Sequence, residues 1–514
     1  MIPTDSELEK MLQVGRHAGS QLQNSRELAA CLESWGFSDR SAQQAGFADI
    51  FAWADNFYSR LQRVERLATE VEASGSKHNS ATWDTEHATN KFFLSLSYAF
   101  PWMALVALEY LQPNALSVTA EIGSAFGLSL IASLITSGGF IQMISRCGSF
   151  YYGLEQPRLA RHLCLVLLNL GVTSSLLFGF VGMLLGVYFR LFTGKYLLLA
   201  AISFVSLSLL WMLCAILSVQ KMGWCVPVVF LFSAVIAALA KNLTQAQNVL
   251  LITLWPVTAA LCAFGCVLAG FRYSEQIHPP TASGARPRLD VLAISLVPFY
   301  LFGTAYFSFL FADRLSAGSA VPWTSGLSFG IDPAYKQGMD LVLLAFLVTA
   351  ASVEYLGDSL LRFWKKLATE LPQARAGELR KNLQKRHSTA LRNVALIFVV
   401  LSLGTWLVFS FLRGMAPTDR LLQTAAIGGL GYLMLSLALL EILILASVNQ
   451  ISSAWTAVGL GLLVNLVAGY SLSHFWGVQY AAVGLLAGSA VTLFRSNAAV
   501  RRILLRPDYH YSVS

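Results

Sequence analysis

Residues 339–367 read "MDLVLLAFLVTAASVEYLGDSLLRFWKKL". The run 339–351 is apolar apart from Asp340 and Thr349, and its continuation over 352–367 carries Glu354, Asp358, Arg362 and Lys366 at intervals of four. A helix needs about 20 apolar residues to cross a hydrocarbon core of roughly 30 Å, so the run reads as a membrane span and the charges as its exit. Asp340 opens the span at one face, and at roughly 1.5 Å per residue Glu354 lies about 21 Å deeper, in the inner part of the bilayer. Four residues advance a helix by about 40° beyond a full turn, so the charged stripe winds slowly. An i, i+4 ladder contributing about 0.3–0.5 kcal/mol per pair accounts for Asp358 and Arg362. It does not account for Glu354, which is too deep to gain from solvent and must face protein or a water-filled cleft.

The same pattern recurs along the chain. Of 514 residues 55% are hydrophobic and 12% charged, and the mean hydropathy is +0.58, which excludes a water-soluble globular protein. The reading is an all-α polytopic membrane fold of about twelve transmembrane helices, at 92–111, 118–145, 162–189, 196–220, 223–240, 249–271, 289–312, 337–361, 394–412, 421–448, 451–472 and 477–494. "RYSEQIHPPTASGARPR" (272–288) is a Pro/Gly/Ser-rich basic linker that divides them into two six-helix lobes, 92–271 and 289–494. A cytoplasmic helical head (1–91), a cytoplasmic loop (362–393) and a cytoplasmic tail (495–514) complete the organisation. With the amino end inside, the inner loops and tail hold 20 Lys and Arg against 7 in the outer connections, so both termini are expected in the cytoplasm. No cleavable signal peptide is read in the polar opening, and the first span doubles as the insertion signal. Pro101, Pro256 and Pro298 fall inside spans, and the small faces Gly182 with Gly186 and Gly484 with Gly488 let helices approach closely.

The head is acidic, with 9 Lys and Arg against 13 Asp and Glu, whereas the rest of the chain is basic, with 27 against 15. Within it Phe47, Ile50, Phe51, Ala54, Phe57 and Leu61 recur at amphipathic spacing, which predicts one helix over 39–73. Its stripe needs cover, supplied either by a helix within 6–34 or by another protein.

Ionisable groups inside the hydrocarbon cost roughly 2.5–3.5 kcal/mol each on insertion scales, so the few present are candidates for function. Glu441, in "LMLSLALLEILILAS", is the deepest, either lining a cavity or paired with a neighbouring helix. Glu109, Glu121 and Asp340 lie near outer span ends, where solvation explains them. Cys262 and Cys266 in "CAFGC" read as small apolar fillers, not metal ligands. The eight histidines fall in the head, loops or span edges, and no reactive constellation or phosphate loop is legible, so an enzyme is not expected.

Two stretches resemble a known family. "GGFIQMISRCGSFYYG", with Gly139, Gln142, Ser145 and Arg146, is similar to the end of the second span of Pel exopolysaccharide transporters, in the multidrug/oligosaccharidyl-lipid/polysaccharide (MOP) flippase superfamily. The region from "FADRLSAG" to "RFWKKL" resembles that family's seventh and eighth spans, with Asp313–Arg314 and Val353–Glu354 at the matching positions. The polar head and the tail "LLRPDYHYSVS" depart from the family's pattern.

The resemblance implies a two-lobed inner-membrane transporter that moves an exopolysaccharide or a lipid-linked saccharide. Its gate or substrate path would use Glu354, Arg146, Gln142, Asp313 and Arg314, to which the cost of burial adds Glu441. It implies contact with membrane lipids, a cytoplasmic glycosyltransferase and a membrane scaffold as partners, and neither nucleic acid nor a cofactor. The competing readings are a polymerase subunit acting through scattered arginines and a scaffold that transports nothing. A scaffold needs no polar cleft, and in it Glu354 and Glu441 would both be paired within helix contacts.

Overall fold

The computed structural model describes residues 25–34, 37–44, 46–56, 58, 92–97, 99–100, 103–104, 120–154, 156–244, 248–277, 289–321, 329–370, 376–413 and 418–505. Two short helices, α1 (Ser25–Ser34) and α2 (Asp39–Gln44), lie in the head. Eleven longer ones come after them: α3 (Ala120–Gly153), α4 (Pro157–Tyr188), α5 (Gly194–Val219), α6 (Cys225–Thr244), α7 (Asn248–Ile277), α8 (Leu289–Ser319), α9 (Pro333–Glu370), α10 (Ala376–Arg413), α11 (Asp419–Ser447), α12 (Ile451–Trp476) and α13 (Ala481–Leu505). Among the described residues ten helices are long and apolar enough to cross a membrane, and Cys225–Ala240 of α6 is a shorter apolar helix. Of the expected first span, 92–97, 99–100 and 103–104 are helical and the remainder lies outside the described residues. The all-α polytopic reading therefore holds, with helices that run several residues past the expected span ends.

Successive helices alternate in direction through tight connections. Helices α4, α5 and α11 each end on a residue with positive φ, Arg190 (51°), Lys221 (59°) and Asn449 (57°). Behind each, an amide reaches back to a carbonyl of the last turn: Leu191 to Gly186 at 2.9 Å, Met222 to Leu217 at 2.9 Å and Gln450 to Leu445 at 2.8 Å. These left-handed caps satisfy carbonyls that a helix end leaves open, which matters where water is scarce. Pro256 and Pro298 sit inside the continuous helices α7 and α8.

Buried apolar side chains form two main clusters. One draws on α3 to α7 and takes in Leu296 of α8. The other draws on α8 to α13 and takes in Ile131 and Leu134 of α3. The clusters are joined where α3 and α8 cross. There a Cβ on Gly138 would stand 2.9 Å from the Gly303 carbonyl oxygen, and one on Gly303 would strike the Gly138 carbonyl. Only glycine permits two backbones to come this close. Gly484 and Gly488 serve α13 against α12 in the same way, whereas a Cβ on Gly182 would meet open space. Large apolar residues such as Leu177, Phe180, Val400 and Leu407 remain exposed on the outer faces of α4 and α10, the surfaces a bilayer covers.

One expectation needs correction. The head stripe is not one helix: α2 stops at Gln44, Gly46 takes φ +88°, and a new helical turn runs over 50–56. Gly46 provides the left-handed stop, and Asp49 starts the next turn by accepting from the Ala52 amide at 2.7 Å. Residues 59–73 lie outside the described residues. Leu28, Ala29 and Leu32 of α1 pack with Ile50, Trp53 and Ala54, so the stripe is covered from within the head.

The stretch 362–393, read as a connection between spans, is largely helical. Helix α9 continues to Glu370 and α10 begins at Ala376. In α10 Leu383, His387, Ala390 and Val394 are buried at i, i+4, i+7 and i+11, one face of a helix. The Lys and Arg between them are good helix formers on the opposite face, so charge density marked the surface but not the end of the element.

Candidate functional site

The stretch with family resemblance lies at the crossing of the two halves. Gly139, Gln142 and Arg146 sit at i, i+3 and i+7 and so share one face of α3. That face meets α8: a Cβ on Gly139 would be 2.7 Å from Thr304 Oγ1, and one on Gly303 would be 2.7 Å from Gln142 Cγ. Arg146 comes one turn later, with its guanidinium over the Phe299 ring at 5.6 Å from the centroid.

At this end of the bundle a cavity of about 480 Å³ opens between α3, the start of α8, the α11–α12 turn and the head. Arg146 and Phe299 line it from the membrane helices, Asn449 and Ser452 from the turn, and Arg26 and Phe51 from the head. Among the described residues its lining holds two arginines and no carboxylate. A volume of this order suits a small-molecule site or a ligand headgroup.

Glu354 is exposed on α9 and accepts a hydrogen bond from Ser95 at the start of the first span. Nearby, Ser97 donates to the Gly223 carbonyl at 3.1 Å, which ties that segment to the α5–α6 turn. Asp358 and Arg362 form the expected i, i+4 pair at 2.6 Å. In this conformation Arg146 lies over an aromatic ring and Glu354 accepts from a serine.

Glu441 is fully buried on α11. His387 of α10 brings Nε2 to 3.0 and 3.1 Å from its two oxygens, and Asn497 of α13 donates Nδ2 to Oε1 at 2.6 Å. Both carboxylate oxygens are engaged by side chains of neighbouring helices, α10 and α13. His387, read from the sequence as a loop or span-edge histidine, is itself buried.

Asp313 and Arg314 anchor a second buried network, near the opposite end of the bundle. Tyr335 donates to Asp313 Oδ2 at 2.7 Å. Arg314 donates to the Tyr432 hydroxyl at 2.9 Å and pairs with Asp340 at 3.3 Å, which also holds Lys336 at 3.1 Å. Asp340, expected at a solvated boundary, is buried. A carboxylate there is stable because Arg314 and Lys336 flank it. The network stitches α8, α9 and α11 together. Nothing in the sequence pointed to Tyr335 and Tyr432 as partners here, or to His387 and Asn497 as partners of Glu441. The usable signal lay in the buried acids, each of which needs a donor.

No family model matches the chain, and no curated protein matches it. Solved structures do. A mutant of the Vibrio cholerae MATE transporter VcmN superposes with TM-score 0.57 at 14% identity, covering 84% of this chain and 100% of that one. The fold is MATE-like. VcmN in its bent form gives TM-score 0.52 at 16% identity, over 84% and 99% of the two chains. A MOP superfamily transporter from Pyrococcus furiosus, described as having a binding pocket of reverse polarity, gives 0.51 at 10% identity, over 82% and 96%. At these identities the likeness fixes the architecture alone.

Proposed function

We propose that this multi-pass membrane protein is a transporter of the bacterial inner membrane that moves an exopolysaccharide or a lipid-linked saccharide across the bilayer, and that it is not an enzyme. The observation that carries this reading is the glycine crossing of α3 and α8. It joins two separately packed halves at one narrow line and leaves a cavity beside Arg146 at one end. Halves with their own cores can rock about such a line, exposing a site first to one side and then to the other. The MATE-like fold supports transport, and the Gln142–Arg146 and Asp313–Glu354 stretches support a saccharide cargo through their resemblance to Pel exopolysaccharide transporters.

In this reading Gln142 and Arg146 line the route between the halves, and Glu354 meets sugar hydroxyls at its mouth when Ser95 releases it. Asp313, Arg314 and Glu441 act by holding the second half rigid. A cytoplasmic glycosyltransferase would deliver the polymer and a membrane scaffold would hold the two together. Both termini face the cytoplasm, and the acidic head offers a docking surface there.

The second reading is a scaffold without transport. It gains from Glu441, whose oxygens are both paired within helix contacts. Deleting the chain from a producing cell separates the two, provided that assembly of the partners is tracked by co-purification. Transport predicts that the partners still co-purify while extracellular polysaccharide is lost; a scaffold predicts that the assembly itself comes apart.

A further inference from the structure

We propose that the head is a releasable clamp over the end of the bundle where α3 stops and α8 starts. Seated as in this structure it ties the two halves together, and it must lift before they part on that side. This deepens the transport reading, on which it rests, by naming what holds that end shut.

The seat touches both halves. Arg26 and Phe51 of the head line one cavity with Phe150 near the end of α3, Phe299 near the start of α8 and Ile451 at the start of α12. Phe150 belongs to the buried cluster of the first half and Ile451 to that of the second, so the head faces both cores at once. A motion that draws the end of α3 away from the α11–α12 turn strips the head from one wall or the other.

The seat is also loose. A close-packed interior leaves few voids larger than a water molecule, and atoms along a void lose their dispersion contacts on that side. The cavity of about 480 Å³ between the head and the helices therefore marks a contact that holds weakly compared with either core.

The head keeps its shape when it lifts. Leu28, Leu32, Ile50 and Trp53 pack into a core made only of head residues. The Trp53 ring meets Phe37 edge-on at 5.6 Å and stacks on Phe47 at 6.3 Å, and Asp39 accepts from the Ile50 amide at 3.1 Å. A unit with its own core moves relative to its neighbour when the interface between them is small. Residues 59–91 connect the head to the expected first span, and a chain of that length reaches about 110 Å at full extension, so the covalent link permits the displacement.

The test places a photo-cross-linking residue, Arg26→benzoylphenylalanine, in the full chain in lipid nanodiscs. Arg26 is exposed and takes no part in the head core, so the replacement leaves that core intact. Illumination is expected to join the head to the end of α3, the start of α8 or the α11–α12 turn. Cross-links confined to the head, or none, overturn the seat. Clamping is read in the same chain from Gln142→Cys, on the α3 face between the halves, as its labelling by a water-soluble maleimide above that of the chain without this cysteine. If that variant fails to fold, Thr304→Cys, across the seam on α8, gives the same readout. Labelling proceeds through the minor population in which the halves have parted, so cross-linked molecules should label about tenfold more slowly than unilluminated ones. Equal rates overturn the clamp. Neither measurement involves cargo, so a chain that passes both but exports nothing contradicts the transport reading and leaves the clamp standing.

Discussion

His387 and Glu441, 54 residues apart in sequence, meet inside the bundle with the imidazole Nε2 3.0 Å from the carboxylate. Together with Asn497 they fasten α10, α11 and α13 at one point. Removing one partner leaves a buried group that nothing else compensates. His387→Ala is therefore expected to cost about 3–5 kcal/mol, seen as a large drop in thermal unfolding temperature in detergent. The paired replacement His387→Leu with Glu441→Leu should cost less than His387→Ala alone, because it leaves no orphaned charge.

The Asp313 network makes a milder prediction. Tyr335→Phe deletes the hydroxyl that donates to Asp313 Oδ2 and keeps the ring. Its expected cost is about 1–3 kcal/mol, the desolvation penalty of a buried acceptor deprived of its donor. Arg314→Lys should cost more than its conserved charge suggests, since one shorter ammonium nitrogen replaces the two guanidinium nitrogens that reach the Tyr432 hydroxyl and Asp340 separately. Equal stability of Arg314→Lys and the parent chain in the same melt would remove the two-partner account.

At the crossing, Gly303→Ala places a methyl group against the Gly138 carbonyl and Gln142. Backbone cannot yield as a side-chain tip can, so about 1–3 kcal/mol of overpacking is expected, together with loss of export. Gly182→Ala, which meets nothing within 4 Å, is the matched control and should be silent. A silent Gly303→Ala would show that the two halves are not held at this line.

The charged stripe of α9 separates into two roles. Asp358→Asn should change stability by no more than about 0.5 kcal/mol, since Asp358 and Arg362 form an i, i+4 ladder pair. Glu354→Gln should leave the protein abundant in the membrane and reduce polysaccharide export. Full export from Glu354→Gln would make that residue another rung of the ladder.

Much of the architecture was legible because membrane spans announce themselves through length and apolarity. What the spans hide is where they end. In 362–393 the charges marked a surface, and the buried face of Leu383, His387, Ala390 and Val394 showed that the helix carried on beneath them. In the head the 3.6-residue period of the stripe ran through Gly46, whose left-handed backbone broke the helix that the period implied. The acids at 313, 340 and 441 stood out by their cost. Their partners did not, because His387, Tyr335, Tyr432 and Asn497 are ordinary residues until packing brings them within 3.1 Å of a carboxylate or guanidinium. Gln142 and Arg146 were singled out by resemblance, and only the crossing of α3 with α8 gave that stretch a physical setting.

Transport itself is tested most directly in proteoliposomes holding the full chain. Saccharide extracted from producing cells is labelled, added on one side, and tracked by its protection from a glycosidase that stays outside. The account predicts protection that grows with time for the parent chain and is lost in Arg146→Gln, with both proteins folded and equally incorporated. Protection no greater than in protein-free vesicles, or equal in the parent chain and Arg146→Gln, would contradict it.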